Sequence, residues 1–235
     1  RQVYTWPPQW IPNPWVLENY TELMNLLPFE RFFFNSIVVS VTVTVMQVLF
    51  AIVTAYAFAR LEFPGRDFVF LLYLGTMMIP YHVRLIPMFL MMQSFKWINT
   101  YKVLTIPQFF SAYGVFLLRQ FFLGIPRDLE DAAYLDGCSR LRILWTVIVP
   151  LSKPAIAAYS TFTFQSAWND FMWPLIMTSS EAMRTLPVGL ASLKDQYSTE
   201  YRLLMAGSVV ALIPVIIIFL FGQRYFVQGI ALTGI

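Results

Sequence analysis

The side chains that could do chemistry in this 235-residue chain are few. His82 is the only histidine and Cys138 the only cysteine, which excludes a multi-histidine metal centre and an internal disulfide framework. No paired carboxylates, histidine cluster or Ser/Lys pair falls at a spacing suited to catalysis. No G-x-x-x-x-G-K-[ST] loop is present to cradle a nucleotide. Catalytic residues, metal and cofactor are therefore not expected. The acids gather instead in residues 119–154, RQFFLGIPRDLEDAAYLDGCSRLRILWTVIVPLSKP, where Asp128, Glu130, Asp131 and Asp136 surround Ala132, Ala133 and Gly137. That combination suits docking rather than reaction. Small side chains let another surface approach the backbone, and acidic residues flank them.

The same stretch reads as two short helices. Pro126 suits a first helical position, where its missing N–H is not needed. Asp128, Glu130 and Asp131 then sit at the positive end of the helix dipole. Ile125, Leu129, Ala132, Ala133 and Asp136 fall near one face. Gly137 supplies the stop, since a helix end often needs left-handed backbone. Ser139 is a fitting N-cap for a second helix leading onward. The alternative is an amphipathic helix lying on lipid headgroups, but such helices are usually basic on the polar face, and this one is acidic.

The elements around this stretch are apolar. Hydrophobic residues make up 58% of the chain, charged ones 12%, and the mean hydropathy is +0.61. Soluble domains average about 25% charged residues. So few charges cannot cover a water-exposed surface, and disorder needs the opposite composition. A net charge of +3 without a Lys/Arg-rich run excludes a nucleic-acid surface. The expected class is an all-α polytopic membrane protein. Residues 36–59 are charge-free and closed by Arg60. Their Val and Thr richness would favour strands in water, but in lipid so long a run satisfies its backbone as a helix. The second expected span is 68–95, kinked by Pro80 and Pro87 or ended near Pro87. The third is 103–118, extended by Phe121 and Phe122. The fourth is 154–168, prolonged on its polar side by 143–151, and the fifth is 203–223, with Pro214 near its middle.

Five crossings place residues 1–34 and 169–202 on one side of the membrane and 119–150 on the other. The sixteen Lys and Arg divide eight to a side, and only their density in short loops favours the cytoplasm for 119–150. Trp6, Trp10, Trp15, Trp168 and Trp173 are expected to form an interfacial belt. Gln47 and Gln165 are placed to hydrogen-bond between helices. Arg84 reads as interfacial and His82 as a structural residue. Asn169 and Asp170 suit either a helix cap or the lining of an outer mouth.

The spacing Asp131-Ala132-Ala133, three residues, Gly137, nine residues, Val147-x-Val149-Pro150 resembles the EAA loop of bacterial ABC importer permeases. That pattern is Glu-Ala-Ala, three residues, Gly, nine residues, Ile-x-Leu-Pro; every interval is kept, and the three replacements conserve charge or shape. Asp136-Gly137-Cys138-Ser139 resembles the common Asp-Gly-Ala-Ser form. Asn35-Ser36, Ala55 through Arg60, Ile79-Pro80, Ile86-Pro87 and Trp168-Asn169-Asp170-Phe171-Met172-Trp173-Pro174-Leu175 resemble the carbohydrate-uptake branch, in particular the smaller permease of the maltose-transporter type.

The resemblance implies a single type I ABC importer transmembrane domain over residues 1–235, five spans of a family six, with the first span lying ahead of Arg1. It implies a multi-pass subunit of the bacterial inner membrane that is not itself an enzyme. It makes 119–150 the cytoplasmic coupling loop, with Glu130, Asp131, Ala132, Ala133, Asp136 and Gly137 docking on an ATPase. It makes 1–34 and 169–202 extracytoplasmic, with Asn169 and Asp170 in the translocation pathway or against a binding protein. The implied partners are two ATP-binding cassette subunits, a second permease subunit, an extracytoplasmic solute-binding protein and membrane lipid, with no nucleic acid. The implied activity is inward movement of a sugar, polyol or sugar phosphate by alternating access, and Phe109, Phe110, Tyr113 and Phe162 become candidates to stack on sugar rings. The stretch from Ser139 through Pro150 to Tyr159 is expected to act as a continuous lever, with Pro150 and Pro154 setting its bend. The competing reading is a secondary transporter, which would need ionisable residues near the bilayer midplane and often inverted repeats; neither is seen. A membrane-embedded enzyme lacks its constellation.

Overall fold

The computed structural model describes residues 16–194 and 200–233, so Trp6, Trp10 and Trp15 of the expected belt lie outside it, as do 195–199 of the outer loop. Among the described residues every regular element is helical. A short α1 (Glu18–Leu26) leads into α2 (Phe29–Arg60), the axis of the molecule. Helix α2 begins earlier than the charge-free run suggests. Pro28 fills its N-cap position, and its carbonyl accepts the Phe32 N–H at 3.1 Å. Ser40 and Thr44 bond their hydroxyls to carbonyls one turn back, both at 2.6 Å, so neither brings an unsatisfied group into the apolar layer.

Next come α3 (Arg66–Gly75) and α4 (Tyr81–Ser94), which meet at 97°. The break falls at Ile79-Pro80, after a 3₁₀ turn (Thr76–Met78); Ile79 is extended, as the residue before a proline tends to be. Pro87 does not end the span and lies inside α4. Pro80 makes the break because its missing N–H costs nothing at the start of the next helix. The third span comprises α5 (Tyr101–Thr105) and α6 (Ala112–Leu123), separated by a 3₁₀ turn (Ile106–Gln108), and α7 (Asp128–Leu135) turns away from it by 81°. Helices α8 (Arg140–Ile143) and α9 (Val149–Leu151), joined by a π segment (Leu144–Ile148), meet α10 (Lys153–Trp168) at 82°. The expected continuous lever is therefore an elbow at Ser152, flanked by Pro150 and Pro154. Short helices α11 (Met172–Met177) and α12 (Leu186–Ala191) precede α13 (Tyr201–Thr233). Helices α2 and α13 are each long and apolar enough to cross a membrane unbroken, and the three bent pairs bring the possible spans to five.

Helix α2 packs against both α6 and α10, and α10 carries α13 on another side. Gly114 lets α6 come close to α10, because a β-carbon there would collide with the Tyr159 ring. Exposed Val41 and Val45 on α2, with Ile213, Ile216, Phe219 and Leu220 on α13, give an apolar outer surface suited to lipid. Trp168 and Trp173 are buried, not interfacial. Their indole N–H groups donate to the carbonyls of Ala211 (3.0 Å) and Val103 (2.8 Å), tying α10 to α13 and α11 to α5.

Candidate functional site

Two places concentrate polar groups inside this apolar framework. The first is the loop around α7, expected from its sequence to dock. Helix α7 stops as its sequence dictates: Gly137 has φ +79°, the Gly137 N–H bonds the Tyr134 carbonyl and the Cys138 N–H bonds that of Ala133, both at 3.0 Å. These are the paired bonds of a Schellman stop. Ser139 then caps α8 by accepting the Arg142 N–H at 3.4 Å. Pro126 stands outside α7, ahead of the N-cap residue Arg127, rather than at its first position.

The helix divides into two faces that its spacing alone did not separate. Leu129, Asp131, Ala132, Leu135, Asp136 and Gly137 are exposed, Leu135 at 88%. Ala133 and Cys138 pack against the core. Glu130 corrects the expected docking set. It is only 4% exposed and turns inward, where its Oε1 lies 2.7 Å from the Arg60 Nε. The Nε–H is not aligned for a hydrogen bond, so this is an ion pair. The Arg60 Nη2 donates to the carbonyls of Phe122, in the last turn of α6, and Ile125, just beyond it, both at 2.6 Å. The Tyr56 hydroxyl donates to Glu130 Oε2 at 3.4 Å. One guanidinium thus joins the last turn of α2, the end of α6 and α7. Removing one partner of such a buried pair costs about 3–5 kcal/mol, because the other charge is left uncompensated. Nothing local in the sequence pairs Arg60 with Glu130; the only signal was an arginine closing a span and a glutamate in the helix below it.

The second place is a cavity of about 490 Å³, bounded by the α3–α4 elbow, the start of α6 and the turn into α11. Gln47, Tyr81, Arg84, Gln108, Tyr113, Ser166 and Asp170 supply its polar groups, and Phe110 and Trp173 add aromatic surface. Gln47 is the interhelical link expected of it, donating to the Gln108 carbonyl at 2.6 Å and accepting from the Tyr159 hydroxyl at 3.1 Å. Gln165 has no such bond among the described residues. Asp170 both caps and lines: its Oδ1 accepts the Trp173 N–H at 3.3 Å while the side chain borders the cavity. Burial holds its carboxyl above the ordinary carboxylate range, offset in part by the N–H groups of Trp173 and Met172. Asn169 ends α10 and does not line the cavity. Arg84 faces the cavity and is not simply interfacial, whereas His82 packs edge-on against Tyr81. Of the candidate stacking aromatics, Phe110 and Tyr113 reach the cavity, while Phe109 and Phe162 do not line it.

The segment that carries Asp170 is tied down by buried amides and hydroxyls. Asn35 donates to the carbonyls of Ala182 (2.9 Å) and Arg184 (2.8 Å) and accepts from the Tyr101 hydroxyl at 2.6 Å. Ser36 accepts the Leu186 N–H at 2.8 Å. Asn99, at φ +62°, accepts the N–H groups of Ser179 and Ser180.

Residues 47–232 match the family described as binding-protein-dependent transport system inner membrane component. The chain is 40% identical over 225 residues to the arabinooligosaccharides transport system permease protein AraQ of Bacillus subtilis, covering 95% of this chain and 80% of that protein. It is 34% identical over 237 residues to the sn-glycerol-3-phosphate transport system permease protein UgpE of Yersinia enterocolitica, covering 97% and 84%. Its fold matches a chain of a bacterial ABC transporter involved in the import of the acidic polysaccharide alginate, with a TM-score of 0.83 at 26% identity over 92% of this chain and 81% of that one. With its helical framework matched in full outline and its sequence over most of its length, the chain belongs to the inner-membrane permeases of binding-protein-dependent ABC importers.

Proposed function

We propose that this permease moves an uncharged oligosaccharide inward, in a complex with two ATP-binding cassette subunits that hydrolyse ATP, a second permease subunit and an extracytoplasmic solute-binding protein. The observation that carries the solute class is the cavity. Its only charged lining residues are Arg84 and Asp170, whose formal charges cancel, and no ion pair joins them among the described residues. Amides, hydroxyls and aromatic faces make up most of the rest, the chemistry that grips a polyhydroxylated ring. An anionic solute would bring a charge into a wall with a single guanidinium and a carboxylate to repel it. Relatives at 34–40% identity are named for arabinooligosaccharides and for glycerol 3-phosphate, and the balanced charge of the wall supports the neutral solute of the two.

The exposed face of α7 supports docking on the cassette subunit through Leu129, Asp131, Ala132, Leu135, Asp136 and Gly137, with Ala133 beneath. Closure of the cassettes on ATP then loads that face differently in the inward and outward states, which is the only way binding energy can drive alternation.

The test is uptake into proteoliposomes holding the full complex, with binding protein outside and ATP inside. Labelled neutral arabino- and malto-oligosaccharides are compared with glycerol 3-phosphate and uronate oligomers. ATP-dependent uptake confined to a neutral oligosaccharide is expected. Uptake of anionic solutes alone defeats the solute class, and uptake driven by an ion gradient without ATP defeats the importer reading.

A further inference from the structure

We propose that Arg60 is the positioning residue that transmits movement of the docking helix into the membrane. The inference rests on the docking reading above and concerns how a load leaves α7 once it arrives. Glu130 is the buried side chain of that eight-residue helix, and it is a carboxylate. An apolar contact at that point would slide under load. A buried ion pair does not, because separation leaves a largely solvent-excluded charge uncompensated. The side-chain exposures of Arg60 and Glu130 are 3% and 5%. The guanidinium is a rigid planar fork whose donors have fixed directions. One arm holds the Phe122 carbonyl in the last turn of α6 and the Ile125 carbonyl just beyond it, and the Nε edge faces Glu130. Displacing α7 therefore pulls at once on the last turn of α2 and the end of α6, the two helices that pack along the middle of the domain. Tyr56, one turn earlier on α2, contacts the other Glu130 oxygen. The remaining charged groups around the clasp, Glu62, Arg127, Asp131 and Arg140, line the open cleft beside it.

The test uses the whole complex in proteoliposomes with Arg60→Lys, which keeps the charge and loses the fork, and Glu130→Gln, which keeps the shape and loses the charge. Three quantities are read: co-purification of the cassette subunits, the ATP hydrolysis rate, and solute taken up per ATP hydrolysed. Both variants are expected to assemble and hydrolyse ATP, with uptake per ATP lower by about tenfold, the range of an ordinary coupling between sites. Tyr56→Phe is expected to show a smaller loss of the same kind. Unchanged uptake per ATP in assembled variants overturns the proposal. So does failure of all three variants to assemble, which would make the clasp a folding element only. Failure of the unaltered complex to bind cassettes or to need ATP would instead strike the proposed function and is seen separately in the wild-type lane.

Discussion

At Gly137 the backbone holds φ +79° to close the Schellman stop of α7, and a β-carbon built there meets no atom within 4 Å. The two facts separate backbone cost from side-chain cost. Placing any L side chain in the left-handed region costs about 1–2 kcal/mol, and at this exposed position the β-carbon adds no clash to it. Gly137→Ala and Gly137→Leu should therefore destabilise the end of α7 equally in the isolated, detergent-solubilised subunit, and Gly137→Asn by less. One to two kcal/mol corresponds to a factor of about 5–30 in the local opening equilibrium. Hydrogen exchange at the Cys138 amide, which is bonded to Ala133, should speed up by that factor in both Ala and Leu variants. The full complex should break the tie. Gly137 lies on the face proposed to meet the cassette subunit, so leucine there should weaken cassette co-purification well beyond alanine. A Leu variant much worse than Ala in the isolated subunit would refute the geometry. Ala and Leu variants that stay indistinguishable in the complex would refute the placing of the docking face.

Gly114→Ala should lower the melting temperature of the subunit. The new methyl drives the Tyr159 ring off α6 and breaks its 3.1 Å bond to Gln47, an overpacking cost of about 1–3 kcal/mol; Gly75→Ala, which points into open space, is the neutral control, and equal shifts in the two would deny the close approach. Asp170 supplies a pH dependence. Its carboxyl lies above the usual range when folded, so the native state holds more protons than the unfolded one between the unfolded value, about 3.9, and the raised folded value. Stability therefore falls as pH rises through that window. Asp170→Asn removes the effect, and its melting temperature should gain on wild type from pH 4 to pH 7; a gap that is constant or narrows contradicts the burial of the carboxyl.

The parts that could be read from sequence were those with local causes. Composition alone gave an all-α membrane class. The stop at Gly137 and the cap at Ser139 depend only on residues within a turn, and both formed. The face of α7 was not readable, because an eight-residue helix offers too few positions for a periodicity to separate Glu130 from Asp131, and the partner that decides between them is Arg60, far off in the chain. The tryptophans failed in the same way. An aromatic near the end of a span suits an interface, but Trp168 and Trp173 find distant carbonyls for their N–H groups and go inside. Gln47 and Gln165 looked equivalent, and only the approach of α6 and Tyr159 made Gln47 the link.

The elbow at Ser152 changes what a lever can mean in this fold. A straight rod from the docking loop into α10 would carry a push along its axis. Here Arg140–Leu151 meets α10 at 82°, through a π segment and a buried serine whose hydroxyl has no hydrogen-bond partner among the described residues. A corner of that kind bends before it pushes. The segment's buried side chains, Ile143, Leu144 and Ile148, share one core cluster with Ala55, Tyr56, Leu118 and Phe122. On the proposed docking reading, a load on the loop would reach the ends of α2 and α6 sideways, by packing from one side and through Arg60 from the other. Both routes converge on the same two helices, α2 and α6, which carry Gln47 and Ala112–Tyr113 along the cavity wall. Opening and closing of that cavity would then follow from tilting α2 and α6 about the ends that meet Arg60, without α10 moving along its axis.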